Sequence, residues 1–230
     1  MLTLNDFCSI LPSQIVNLQS TIVLMQSEQD KLVSKVQILE QSQQSTHGSL
    51  YIRWGRSSCP ANTELVYHGF TAGKKYNAYG GGTNEQCLPN EPTWGRYDDA
   101  VAPFGGRIYG AEIDLNEATK YFPNNVNNQD IPCAVCKTHF ALNLMIPARN
   151  NCYIGWTLEY SGFLMAGTFT SGSDGYNHIC VDGNPEFLQH GGTDDNQNIL
   201  YLVEAQCGSL PCPPYVQNRE LACVSAQSNG

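Results

Sequence analysis

Between Ser171 and Asn198 the chain reads SGSDGYNHICVDGNPEFLQHGGTDDNQN, the stretch in which its oxygen donors crowd together. Asp174, Asp182, Asn184, Glu186, Asp194, Asp195 and Asn196 stand there among glycines and aromatic residues. Calcium takes about six to eight oxygens from flexible loops, so alternate donors such as Asp182, Asn184 and Glu186, joined by Asp194, make calcium the expected cofactor. No EF-hand spacing is present, and Asp and Asn equally fill ordinary turns by bonding nearby backbone. Both readings stand at this point. The same acids and amides suit sugar hydroxyls, and Tyr176, Trp156 and Trp94, the last beside GRYDDA with Asp98 and Asp99, offer flat faces for pyranose rings. Aromatic residues equally serve as core or subunit contacts. The expected ligand-binding set is therefore Asp174, Tyr176, Asp182, Asn184, Glu186, Asp194, Asp195 and Asn196.

Other chemistries find less to work with. The histidines His47, His68, His139, His178 and His190 show no H-E-x-x-H spacing, and no serine lies in G-x-S-x-G. CAVC, from Cys133 to Cys136, has the spacing of half a zinc site or a redox pair, but no second Cys-x-x-Cys completes a zinc ribbon. The expectation is a protein that is not an enzyme. Its 12 basic and 21 acidic residues leave a formal charge of -9, which argues against passive affinity for nucleic acid or an anionic membrane. With 41% hydrophobic and only 14% charged residues the composition is globular, and 230 residues suffice for one large domain or two modest ones.

Ten cysteines in a lysine-poor chain rich in Gly, Asn and Pro point to an oxidising compartment, and secretion is the expected localisation. The opening MLTLNDFCSIL lacks a basic region, an apolar core and a small-residue cleavage site, so it does not read as a signal peptide. No apolar run is long enough to span a bilayer, and no N-x-S/T sequon is present.

The elements that must position these groups fall into two kinds. From residue 11 to 39, Leu11, Ile15, Leu18, Ile22, Met25, Gln29, Leu32, Val36 and Leu39 recur three and four apart, a heptad seam with Ile or Val at a and Leu or Met at d. An amphipathic helix packed on its own domain is the alternative. The polar EQSQQSTHGS that follows favours a stalk ending in a flexible joint. Such an a/d choice favours dimers, whereas Val16, Val23, Leu24, Val33 and Ile38 widen the stripe and favour a trimer; a homo-oligomer with three chains is expected. Cys8 lies one heptad before Ile15, where an interchain disulfide between identical chains is expected.

After the stalk come short β-rich runs punctuated by Gly, Asn and Pro: SLYIRW, ELVYHGF, RIYGAEIDL, FALNLMI, TLEYSGFLMAGTF and NILYLVEAQ. They predict an all-β fold. Arg56, Cys59, Tyr67, Gly69 and Phe70 recur at equal intervals as Arg149, Cys152, Tyr160, Gly162 and Phe163, and the interval from Cys59 to Cys87 equals that from Cys152 to Cys180. The expectation is a tandem duplication of a disulfide-closed β unit behind a coiled-coil stalk and linker: residues 1–48, then 49–140, then 141–230.

The stretch IPCAVCKTHFALNLMIPARNNCYIGWTLEYSGFLM, with YGGGTNEQCLPNEP before it and LPCPPY after it, resembles the duplicated C-terminal noncollagenous domain of type IV collagen. It is more similar still to the short-chain, spongin-like collagen relatives of invertebrates, over about residues 50 to 224. The resemblance implies an extracellular, oligomeric protein with the disulfides Cys59–Cys136, Cys87–Cys133, Cys180–Cys223 and Cys207–Cys212. It leaves Cys152 without a partner, because Ala226 stands where the family has a cysteine. No Gly-X-Y repeat is present, so the coiled coil would replace a triple helix in gathering chains. Function is expected to be non-enzymatic recognition, lectin-like and calcium-assisted through the Asp/Asn/Gly loops, with glycans or matrix components as partners. The rival expectation is a structural module of extracellular-matrix assembly.

Overall fold

Successive apolar residues three and four apart need a helix to share one face, and the first element is a long one, α1, Leu4–Thr46. The computed structural model describes residues 4–46 and 48–228, with side chains described for 15–40 and 48–228. Within that helix Ile15, Leu18, Ile22, Met25, Leu32 and Val36 are all exposed in the single chain. Leu11 and the Cys8 side chain, the site of the expected interchain disulfide, lie outside the described side chains. No described helix is long and apolar enough to cross a membrane.

Residues 48–230 form a second compact unit. Its strands are β1 Ser49–Trp54, β2 Glu64–Gly73, β3 Gln86–Pro89, β4 Tyr109–Ile113, β5 Gln129–Asp130, β6 Pro132–Thr138, β7 Asn143–Pro147, β8 Trp156–Ala166, β9 Ile179–Asp182, β10 Asn198–Leu202 and β11 Ala222–Ser228. β6 lies antiparallel between β1 and β2, and β2 also pairs antiparallel with β3 and β4. The later strands pair in the same pattern: β11 lies antiparallel between β7 and β8, and β8 pairs antiparallel with β9 and β10. The two sets are joined where β1 runs parallel to β9 at Trp54 and Val181, and where β10 runs parallel to β4. Following neighbours from β4 through β2, β6, β1, β9, β8 and β10 returns to β4, so these strands close on themselves and leave few open edges.

The main core draws on both sets of strands. Ile113, Val126, Ile131, Met165, Ile179, Val181 and Leu200 are fully or almost fully buried in one cluster. Strand β6, PCAVCKT, is buried at all positions but Lys137, which is why it shows no alternation of apolar and polar residues. Four disulfides close the unit: Cys59–Cys136, Cys87–Cys133, Cys180–Cys223 and Cys207–Cys212. They are the pairs implied by the resemblance. The one cysteine without a partner among the described residues is Cys152. It packs against the cluster of Ile146, Val224 and Ala226, and burial pushes its thiol pKa up while the charge of Arg149 pulls the other way.

The recurring Tyr-x-Gly-Phe has a physical explanation. The Tyr67 hydroxyl donates to the Cys87 carbonyl at 3.0 Å, and the Tyr160 hydroxyl donates to the Cys180 carbonyl at 2.9 Å. Two residues on, a Cβ at Gly69 would stand 1.8 Å from the Leu88 carbonyl oxygen, and one at Gly162 would stand 1.8 Å from that of Val181. In each set the neighbouring strand crosses directly over the glycine, and only hydrogen fits beneath it.

Candidate interaction site

The expected ligand residues separate into three places. Asp182 is buried, its Oδ2 accepting from Arg53 Nε at 2.8 Å and facing Arg53 Nη2 at 2.7 Å, while its Oδ1 accepts from the Asn184 amide at 2.9 Å. Asp174 pairs with the Lys74 ammonium, and Tyr176 is buried with its hydroxyl bonded to the Ile199 carbonyl. Asp194, Asp195 and Asn196 form an exposed turn whose amides at Asp195 and Asn196 donate to the buried Glu112 carboxylate at 3.2 and 2.9 Å. Among the described residues no three His, Cys, Asp or Glu side chains gather as metal ligands. Of the aromatic residues named with them, Trp156 is half-buried against Val224 and Ala226, and Trp94 is exposed.

Asn184, Pro185 and Glu186 do something more specific. They follow β9 and seat against the turn Gly55–Ser57 that leaves β1. The Glu186 amide donates to the Gly55 carbonyl at 2.7 Å, and Arg56 Nη1 donates to the Asn184 carbonyl at 3.0 Å. Glu186 Oε2 accepts from the Ser57 amide at 3.0 Å and the Ser57 hydroxyl at 2.6 Å, and Oε1 lies 3.2 Å from Arg56 Nε. Partial burial pushes the Glu186 pKa up, but the two Ser57 bonds and the Arg56 charge outweigh it and hold the carboxyl below its ordinary value. Gly55 has φ +85°, and Pro185 presses within 3.1 Å of where its Cβ would be, so two constraints select glycine. The later loop is thus a plug in the earlier turn.

The corresponding turn after β7 is Ala148–Asn150, with Arg149 at the place of Arg56. Ala148 has φ +59°, the left-handed conformation that Gly55 also adopts. Among the described residues no acidic loop fills it. It opens on a cleft of about 550 Å³ walled by Arg149, Asn151, Tyr153, Tyr215, Arg219 and Glu220. Arg149 Nε donates to the Asn151 carbonyl at 3.0 Å, its Nη2 to Asn151 Oδ1 at 2.7 Å, and its guanidinium lies 4.1 Å from the Tyr153 ring centroid. These contacts hold it at the cleft wall.

The residues that match the plug by position follow β3: Glu91, Pro92 and Thr93 align with Asn184, Pro185 and Glu186, each set five residues from cysteine to proline. They begin an exposed stretch that runs to Ile108. Trp94 is 76% exposed and Phe104 99% exposed, with Tyr97 and Val101 between them. Sequence reading marked Arg56 and Arg149 as a recurring pair but assigned them no role. Nothing in the spacing reveals which loop crosses to which turn. A scan of the chain against protein-family models finds no match.

Proposed function

We propose that this chain is a secreted, non-enzymatic assembly module of the extracellular matrix, made of two copies of one β unit, whose heads join when residues 91–94 of one chain seat in the Arg149 cleft of the next. The observation that carries the reading is the pairing of an open turn with an unused plug. Glu91 brings a carboxylate to a cleft walled by Arg149 and Arg219, whose Glu220 is bonded to the Tyr121 hydroxyl, and Trp94 matches Phe187, the partly exposed residue that follows the seated plug. Ala148 carries a methyl group where Gly55 has none, so Pro92 seats a few tenths of an ångström farther out than Pro185 does. Covering most of Trp94 contributes roughly 3 kcal/mol, which suits a weak contact repeated among tethered chains.

Helix α1 supplies the tether. Its exposed seam is covered by the same helix of other chains, three in preference to two because the apolar stripe is wider than a two-stranded seam needs. Four disulfides and the lack of a described membrane-spanning helix fit an extracellular setting. Lectin-like, calcium-assisted binding through the 174–196 loops is the competing reading. It is weakened because Asp174, Tyr176, Asp182 and Glu186 already hold internal partners.

Disulfide trapping separates the two. Thr93 aligns with Glu186 and Asn150 with Ser57, so Thr93→Cys and Asn150→Cys placed on separate chains, both in a Cys152→Ser background, should join when mixed and oxidised. A disulfide-linked peptide joining position 93 of one chain to position 150 of another supports assembly. Its absence, with saturable glycan binding lost on chelation, moves the function to the lectin reading.

A further inference from the structure

Glu85 is two residues before Cys87, at the end of the loop that leaves β2. It is 4% exposed, and its neighbour Asn198, at the start of β10, is 0% exposed. The Asn198 amide nitrogen uses both hydrogens, donating to the Lys74 carbonyl at 2.8 Å and to Glu85 Oε1 at 3.2 Å. That fixes which way the amide faces. The other two atoms of the pair, Glu85 Oε2 and Asn198 Oδ1, are buried without any hydrogen-bond partner. Both are acceptors if the carboxyl is ionised, and two orphaned acceptors in the interior are costly.

One proton removes both defects. A neutral carboxylic acid and a carboxamide are complementary edge to edge, with the amide N–H on one acid oxygen and the acid O–H on the amide oxygen. Among the described residues no cation pairs with the carboxyl: Lys74, whose carbonyl Asn198 holds, has its ammonium paired with Asp174, and the Tyr176 hydroxyl is bonded to Ile199. Gly73 completes the pocket, since a Cβ there would lie 2.2 Å from Oε2 and 2.5 Å from Oε1. The loop that carries Glu85 is also where the two halves of the head meet. The Tyr76 amide donates to Gln197, the Asp174 amide to Tyr76, the Asn177 amide to Thr83, and the Glu85 amide to Asn177 Oδ1.

We propose that Glu85 is held in the folded protein as the neutral acid, its proton shared with Asn198 Oδ1, and that it forms a pH-sensitive latch between the 74–85 loop and the start of β10. This latch is independent of the assembly reading. Burial pushes the Glu85 pKa up to about 7, with the Asn198 bond pulling only partly back. A folded-state pKa above the unfolded one means that the folded state binds the extra proton. The latch is therefore complete in acid and its contribution is lost as pH rises towards 7.

Thermal and denaturant unfolding of full-length wild type and Glu85→Gln across pH 4 to 8.5 tests this. The substitution puts an amide N–H where the acid proton would be, and it does not titrate. Relative to it, wild type should lose about 10-fold in its folding equilibrium per pH unit between the ordinary glutamate value and about 7, then level off. Parallel curves would overturn the proposal. Should the variant fail to fold, the Glu85 Cδ resonance of carboxyl-labelled wild type decides, since a midpoint near 7 supports the latch and one in the ordinary glutamate range overturns it.

Discussion

The turns at Arg56 and Arg149 begin from similar residues and end in different states. Around Arg56 the chain supplies its own partner, with Glu186 ion-paired to the guanidinium, the Asn184 carbonyl accepting from its Nη1, and Pro185 pressed on Gly55. Around Arg149 the guanidinium leans on Asn151 and Tyr153 at the wall of an open cleft. The difference teaches that like turns need not be used alike: the one closed from within is structural, and the one left open is where the proposed assembly contact is placed. The same contrast holds for the thiols. Cys59 is bonded to Cys136, whereas Cys152 meets Ala226 at the corresponding place.

Breaking what the two halves share has the largest expected effect. Gly69→Ala and Gly162→Ala each force a methyl group onto a strand carbonyl, and each should destabilise the head by at least about 3 kcal/mol in denaturant unfolding. A large loss from one and none from the other would break the comparison. Ala226→Cys should make the halves more alike by bonding Cys152. Peptide mapping should find that disulfide, and stability should rise by about 2 kcal/mol, less than chain entropy alone allows because engineered bonds rarely fit without strain.

Arg56→Ala and Arg149→Ala sharpen the contrast further. The first removes an internal anchor and should cost about 1 kcal/mol, the modest worth of a half-exposed ion pair with its hydrogen bonds. The second should leave unfolding of isolated heads almost unchanged while weakening association between chains by sedimentation. The smallest effect belongs to Glu186. Its depressed carboxyl pKa contributes stability that is present above the ordinary glutamate range and is lost as pH falls through the folded value. Glu186→Gln should therefore flatten the acid limb of the stability profile by a few tenths of a kcal/mol, measured below pH 4.

Much of the fold was legible because local patterns carry it. SLYIRW is strand β1 residue for residue, and the runs containing Tyr67 and Tyr160 are the long strands β2 and β8. Strands β3, β6, β9 and β11 are harder to read. Each carries a cysteine and is buried on both faces over much of its length, or is only four residues long, so neither alternation nor a long apolar run marks it. The candidate site was less legible for a different reason. Acidic residues at 174, 182 and 186 look alike in sequence whether they await a ligand or answer Lys74, Arg53 and Arg56. Only the folded chain brings those cations alongside them. Glu85 and Asn198, more than a hundred residues apart, carried no local signal at all.

The central claim is that residues 91–94 occupy the Arg149 cleft of another chain. Amide hydrogen exchange on the assembled full-length protein, with Arg149→Glu as the comparison, tests it most directly. The account predicts slow exchange at 91–94 and at 148–153 in wild type, and faster exchange in both segments together when Arg149 is reversed in charge. Fast exchange at 91–94 in the wild-type assembly, unchanged by the substitution, would contradict it.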